Sequence, residues 1–229
     1  MNYLSMERVM AGVKRRYDSS GRRARADEVR RSLVDTAHTM LLSEGYPGTT
    51  IPKVARACGV SIDSVYKRFP GRAALVRAVV ERALRGSGPV PAEARSDALA
   101  ADDLSSLLSG WGRLSTEVSP QVAPVLLLVR AVAALDDEVA ALAQQLDDDR
   151  RSRMRDNAQR LHDAGHLPGQ VSVEEMADVL WTYSSPELYD LLVQRRGWEI
   201  ARYGRFVTNG IAGHLDTGDG ADSVTDTRT

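Results

Sequence analysis

The sequence predicts an all-α protein in which a small helical domain, residues 26–86, precedes a larger helical domain, residues 95–215. Three observations support this prediction. Apolar residues recur at helical spacing along most of the chain, and no segment alternates like a β-strand. A compact turn motif occupies residues 49–72. A glycine- and proline-rich segment, residues 86–91, is the clearest linker and separates the two domains.

Residues 49–72 have the frame of a helix-turn-helix. Ala55 is small enough to let a second helix approach closely, and Gly59 can adopt the positive φ that a sharp turn between helices requires. Val65 is an apolar side chain that can pack back against the first helix. Because such a frame places its second helix, residues 62–69, in a DNA major groove, the motif predicts DNA binding.

Local signals mark where the helices of this domain begin and end. A first helix is predicted over residues 27–43, with Gly45 closing it. Thr50 and Ser61 are each placed as an N-cap, with a hydroxyl that can accept from an exposed amide of the first turn. The last helix of the domain is predicted to continue through Leu84.

Charge is divided unevenly along the chain, although the formal net charge is only −1. Residues 1–85 carry 17 Lys and Arg against 8 Asp and Glu, a net charge of +9. Residues 86–229 carry 13 basic and 23 acidic residues, a net charge of −10. This division is typical of a nucleic-acid-binding module joined to something else. Residues 1–25 are predicted to be a flexible basic arm, which either contacts DNA or makes no specific contact.

The remainder of the chain is helical in pattern. One helix is predicted to stop at Pro120, and the very apolar segment after it is predicted to be a separate helix buried on all sides. Residues 172–175 form a capping box that opens a later helix. The predicted helices of this domain are residues 97–118, 121–135, 136–164, 172–183 and 186–195 and a last one that reaches residue 215, before a disordered tail, residues 216–229.

Several classes of protein are disfavoured by composition. One cysteine excludes a disulfide framework and a structural zinc site, and the four histidines lack metal-ligand spacing, so we expect no metal. We expect no cofactor and no enzyme, because phosphate-binding glycine loops, paired catalytic carboxylates and nucleophile elbows are missing from the sequence. The start of the chain has no secretory signal and no apolar run approaches a membrane span, so we expect a cytoplasmic, nucleoid-associated protein without a membrane partner.

The amino-terminal domain resembles that of the TetR family of bacterial transcriptional regulators. The resemblance covers about residues 27–84 and implies a three-helix DNA-binding domain followed by an effector-binding and dimerisation domain. Its members typically repress transcription until a small molecule binds. The matching residues are Leu33–Ala37, Gly45–Tyr46, Thr49–Thr50, Gly59–Ser61, Val65–Tyr66 and Phe69–Arg72.

The resemblance also implies roles for particular residues. Thr50 matches a phosphate contact, Tyr66 matches a tyrosine that reaches the DNA backbone, and Arg72 replaces the usual lysine. Lys53 and Arg72 are cations in the first turns of helices, where a phosphate would relieve an unfavourable position in the helix dipole. Asp63 either accepts from cytosine or stabilises its own helix. The predicted DNA-binding residues are Thr49, Thr50, Lys53, Ser61, Ile62, Asp63, Ser64, Tyr66, Lys67 and Arg72.

Five apolar or aromatic residues of the second domain are candidates for a small-molecule pocket, with ordinary core packing as the alternative for each. They are Trp111, Leu127, Met154, Trp181 and Tyr183. Two apolar stripes are predicted to form a four-helix homodimer interface, with packing inside one subunit as the alternative. The stripes are Met176, Val179, Leu180 and Tyr183, and Ile200, Tyr203, Val207 and Ile211.

Together these features predict a homodimeric repressor that a small-molecule ligand releases from a palindromic operator in double-stranded DNA. An activator or a ligand-independent regulator of the same fold is the first alternative. A helical protein-interaction module is the second, although such a module would not require the basic first third of the chain. The sequence does not identify the effector.

Overall fold

The computed structural model describes residues 19–216, and all regular secondary structure in that range is helical, which confirms the predicted fold class. The predicted arm up to residue 18 and the predicted tail from residue 217 lie outside the described residues. A π-helical segment, Asp190–Arg195, directly follows the short helix Pro186–Tyr189. The helices are α1 (Ser19–Gly48), α2 (Ile51–Ala57), α3 (Ile62–Tyr66), α4 (Arg72–Leu84), α5 (Ala92–Asp97), α6 (Leu104–Ala133), α7 (Asp137–Asp163), α8 (Val173–Tyr183), α9 (Pro186–Tyr189) and α10 (Ile200–Leu215).

The start of α1 differs from the prediction. The helix begins at Ser19 rather than at residue 27, so residues 19–25 are helical and the prediction of a flexible arm is wrong for them. Gly45 interrupts the helix with a φ of 69° and a ψ of −178°, at the position predicted to close it. Helix α1 therefore extends towards the amino terminus beyond its buried residues, which begin at Leu33, although residues 19–25 are polar.

Helix α6 runs through Pro120 and Pro124, so the prediction of two helices divided at Pro120 is wrong. A proline inside a helix removes a backbone hydrogen bond and costs about 3 kcal/mol. Helix α6 continues because it packs on both sides of the prolines, at Trp111 and at Val125. The prediction that its second half is buried all round is also wrong, since Leu126–Leu128 are only partly buried. Helix α6 is long and apolar enough to cross a membrane. A single such helix is weak evidence for a membrane-spanning protein, because core helices pass the same test of length and composition.

Two clusters of buried apolar side chains stabilise the fold. The first core joins α1–α4 to the second half of α6, through Val122, Val125 and Val129, and to the first half of α7. The second core joins the first half of α6 and the second half of α7 to α8, α9 and α10. Since α6 and α7 contribute to both cores, the predicted linker at residues 86–91 does not divide the packing of the molecule.

The second core also contains most of the two apolar stripes that were predicted to meet a partner subunit. Met176 and Leu180 of α8 and Tyr203, Val207 and Ile211 of α10 are buried within this subunit. Their side chains are therefore used by the fold itself, and the predicted interface is wrong for these five residues.

Candidate nucleic-acid interface

Side-chain caps fix the two helices of the turn motif, as predicted. The Thr50 hydroxyl accepts from the Lys53 amide at 3.4 Å, and the Ser61 hydroxyl accepts from the Ser64 amide at 3.2 Å. Between the helices Gly59 has a φ of 65°, a conformation that glycine adopts without steric cost. The geometry of the turn is therefore encoded by neighbouring residues.

Helix α3 has one buried face and one exposed face. Val65 is fully buried and packs α3 onto α2, where Val54 and Ala55 are also buried. Ile62 and Tyr66, one helical turn apart on α3, are 44% and 51% exposed. These large apolar side chains have no role in the core, so they are available to a binding partner.

The predicted DNA-binding residues fall into three groups by their burial. Thr50, Ser64 and Arg72 are half-buried, and Thr49 is buried. The exposed residues are Lys53, Ser61, Ile62, Asp63, Tyr66 and Lys67. Nearly all of the predicted set is thus accessible from the surface that α2 and α3 form.

Thr49 is the exception, with 1% of its surface exposed. Its hydroxyl donates to the Gly45 carbonyl at 2.9 Å and its amide donates to the Tyr46 carbonyl at 3.2 Å. These bonds close the turn between α1 and α2. We therefore assign Thr49 a structural role and no DNA contact, which corrects the prediction from sequence.

The two cations at helix starts, Lys53 and Arg72, each have an acidic neighbour within the protein as well as a position in the helix dipole. Lys53 Nζ lies 2.7 Å from Glu44 Oε2, and both side chains are about half exposed, at 51% and 41%. Such exposed pairs contribute little free energy. A phosphate could therefore replace Glu44 as the partner of Lys53 at small cost.

Arg72 is held more firmly. Its guanidinium stacks on the Tyr46 ring, 3.8 Å from the centroid, and donates to the Tyr46 carbonyl at 3.3 Å. Arg72 Nη2 also lies 3.9 Å from Asp136 Oδ2, on the residue that caps α7. Arg72 thus connects α1, α4 and α7, and its contacts are those of a positioning residue.

One further basic residue on this surface, Arg56, was not among the predicted DNA-binding residues. Arg56 follows Lys53 by three residues on α2 and is exposed. In the described part of the chain no carboxylate lies within 4 Å of its guanidinium. Its spacing from Lys53 places both cations on one face of the helix, and that spacing was visible in the sequence.

The five candidate pocket residues are not gathered around one cavity. Trp111 is buried and donates from Nε1 to the Ser96 hydroxyl at 3.0 Å, while Met154 and Tyr183 pack on the second core. The Trp181 ring lies under the Arg150 guanidinium, 4.6 Å from it, and Leu127 is half-buried. A cavity of about 10 Å³ beside Arg150 and a groove of about 340 Å³ along α6 are lined by other residues.

Comparison with known families identifies the turn motif. Residues 33–79 match the family described as bacterial regulatory proteins, tetR family. Over these residues the chain is similar to regulators of the TetR family. This family consists of DNA-binding regulators rather than enzymes, and the matched residues include α2, α3 and most of α4.

A curated relative also matches part of this chain. It is an uncharacterized HTH-type transcriptional regulator, TtgW, from Pseudomonas putida, 33% identical over 57 residues. The match covers 25% of this chain and 42% of the relative. The chain therefore spans about two fifths of the length of the curated relative that it matches.

Solved structures resemble the chain over most of its length. A protein from Rhodococcus sp. assigned to the TetR family has a TM-score of 0.63 at 16% identity, covering 82% of this chain and 99% of its own. A regulator from Saccharomonospora viridis in complex with choline has a TM-score of 0.60 at 19% identity, covering 81% and 96%. At these identities the likeness establishes the fold of the second domain and no more.

Proposed function

We propose that the chain is a sequence-specific DNA-binding transcriptional regulator, a repressor that leaves a palindromic operator when a small molecule binds. The exposed face of α3 is the observation that carries this proposal. Ile62 and Tyr66 are half-exposed there, although large apolar side chains are normally buried. Base edges in a major groove, including the thymine methyl group, offer Ile62 apolar contacts, and the Tyr66 hydroxyl can donate to a phosphate beside them.

Base contacts and phosphate contacts are expected on different parts of this face. Ile62, Asp63, Ser64 and Lys67 project from α3 and are proposed to contact bases. Thr50, Ser61, Lys53 and Tyr66 lie along its border, together with Arg56, and are proposed to contact phosphates, which fix the register of a protein on DNA. Arg72 is proposed to position α4 rather than to carry a phosphate contact of its own.

Footprinting on DNA from both sides of the chain's own gene tests this proposal. We expect two protected half-sites related by a two-fold axis, with centres one helical turn of DNA apart, or about 34–36 Å. Leu84→Ala is a matched control, because Leu84 is 47% exposed but lies on α4, away from α2 and α3. Tyr66→Ala should lose the footprint, and protection that survives in this variant would contradict the proposed face.

A palindromic operator requires a homodimer, and the outer surface of α8 and α10 is proposed to form it. Tyr183, Trp198 and Phe206 are half-buried aromatic residues on this surface. Phe206 lies at its centre, with ring centroids 5.8 Å from both Tyr183 and Trp198. Aromatic side chains are enriched in protein interfaces, and a two-fold axis would place the same cluster on both subunits.

Phe206→Glu should convert the dimer to a monomer, because it would bury two carboxylates without partners where the clusters meet. Light scattering measures the assembly, and circular dichroism shows whether the helices persist. Leu135→Glu is the matched control, since Leu135 is 86% exposed at the other end of α6 and should leave the dimer intact. A Phe206→Glu protein that keeps its helices and stays dimeric would contradict the proposal that this surface forms the dimer interface.

A small-molecule effector completes the proposal. The S. viridis regulator holds choline on the same fold, which shows that this fold can accept a small ligand. If effector and operator favour different arrangements of α4, each must lower the affinity for the other by the same factor. Titration of a ligand with and without saturating operator would measure that factor.

A further inference from the structure

A solvent-accessible groove with a volume of about 340 Å³ lies between the region of α5 and the first half of α6. Its volume is at the lower end of the range for small-molecule sites. Leu99 packs directly against α6 at Gly110, because a Cβ at this position would lie 2.5 Å from the Leu99 side chain. The lining residues are Arg95, Leu99, Gly110, Arg113, Leu114 and Glu117.

The single acidic residue of the groove is already engaged. Glu117 accepts from Arg95 at 2.7 and 2.8 Å and from the Ser87 amide at 2.7 Å. The Ser87 hydroxyl also donates to it, at 3.1 Å. Hydrogen bonds from Arg95 and Ser87 lower the pKa of the Glu117 carboxyl to about 2, so this group is ionised at neutral pH.

The second arginine of the groove is not engaged. Arg113 is exposed, and no carboxylate among the described residues lies within 4 Å of its guanidinium. Two arginines against one glutamate leave the groove with one positive charge in excess. Leu99 and Leu114 add apolar walls. A ligand that matches both features carries a negative charge on an apolar body.

We propose that this groove binds a small organic acid, with Arg113 as the partner of its carboxylate. This inference rests on the proposed function, because it names the chemical class of the effector. A cationic ligand would have to lie beside two arginines, and an inorganic anion would leave the apolar walls uncovered. The charge pattern therefore selects a carboxylate joined to an apolar group.

The groove is coupled directly to the segment that follows the DNA-binding helices. Ser87 belongs to residues 85–91, which connect α4 to α5, and its amide is fixed by Glu117. Arg95 extends the same link, because its Nε donates to the Val90 carbonyl at 3.0 Å. A ligand carboxylate on Arg113 lies one helical turn from Glu117 on the same face of α6, so it repels the like charge of Glu117 and weakens its hold on Ser87. Binding thus favours a state in which the connection after α4 is released.

Calorimetry on the full chain tests the site with hexanoate and 1-naphthoate as probes. Hexylamine, 1-naphthylmethylamine and inorganic phosphate are the comparison compounds, and we expect only the two acids to bind. Arg113→Gln should weaken their affinity about tenfold or more, the usual effect of losing a charged hydrogen bond. Arg113→Lys should retain part of the affinity. Arg196→Gln, an exposed arginine outside the groove, should retain all of it.

Hydrogen exchange tests the coupling in the same samples. Saturating acid should speed the exchange of the Ser87 amide, and Arg113→Gln should abolish this effect at equal acid concentration. The site is overturned if neither acid binds, or if Arg113→Gln leaves their affinity unchanged. Binding without faster exchange at Ser87 overturns the coupling. Neither measurement uses DNA, so a failure of the proposed DNA-binding function would be seen separately, in the footprint.

Discussion

The two hydrophobic cores use the chain in different ways. The second core is built from residues 107–215, all within the predicted second domain. The first core combines α1–α4 with residues 122–146, which come after the predicted linker. The DNA-binding helices therefore do not pack as an independent unit. Helices α6 and α7 support them from one side and take part in the second core from the other.

This difference indicates how ligand binding in the second domain could change the packing of the DNA-binding helices. A shift of α6 or α7 must change packing in both cores, because dense interiors do not deform freely. Contacts such as Arg77 Nη1 to Asp149 Oδ2, at 3.0 Å, and Arg72 to Asp136 tie α4 to α7 as well. Residues 86–91 therefore form a loop, and they do not separate two independently packed domains.

The largest expected effects come from truncating buried leucines in the two cores. Leu142 of α7 is 5% exposed in the first core, and Leu161 of the same helix is fully buried in the second. Leu142→Ala and Leu161→Ala should each lower the free energy of unfolding by about 2–5 kcal/mol. Denaturant unfolding measures both losses.

Hydrogen exchange separates the two variants. Leu142→Ala should reduce protection in α1 and α4, although residue 142 lies well outside the matched family domain. Leu161→Ala should reduce protection mainly in α8 and α10. Unchanged protection of α1 and α4 in Leu142→Ala would mean that the DNA-binding helices are independent after all.

A smaller effect is expected for the link between residues 85–91 and α6, and it should depend on pH. The pKa of Glu117 falls from its ordinary value of 4.5 to about 2 in the folded protein. The stability gained from this lowered pKa is therefore fully present above about pH 4.5 and is lost as the pH falls towards 2.

Glu117→Gln removes the titrating group and so provides the comparison. The melting temperature of the original chain should exceed that of the variant at pH 7, and the gap should narrow steadily below pH 4.5. Glu93→Gln is a suitable control, because Glu93 is exposed on the neighbouring α5. A gap that stays constant down to pH 2.5 would show that the Glu117 charge contributes no stability.

The sequence predicted features that depend on neighbouring residues. Gly59 and the caps Thr50, Ser61 and Ser172 all take the predicted conformation or hydrogen bond, because each involves residues within one helical turn. The exposed face of α3 was also predictable, since helical periodicity separates Val65 from Ile62 and Tyr66.

Features that depend on distant partners were missed. Nothing near Pro120 in the sequence shows that α7 and α10 pack along α6 and keep it continuous. Asp136 lies far along the chain from Arg72, so its contact with Arg72 could not be predicted from the position of Arg72 in α4. Trp111 was a candidate for a pocket because it is aromatic, whereas its hydrogen bond to Ser96 and its burial place it in the core.

The salt dependence of DNA binding tests the central claim, that the exposed face of α2 and α3 binds DNA, most directly. The slope of log K against log salt should become shallower by about 0.9 for each phosphate contact that a variant loses. Lys53→Ala should show this change without losing stability, because its pair with Glu44 is exposed. Arg72→Ala should lower the melting temperature and change the slope less. A Lys53→Ala protein with the original slope and affinity across the salt series would contradict the account.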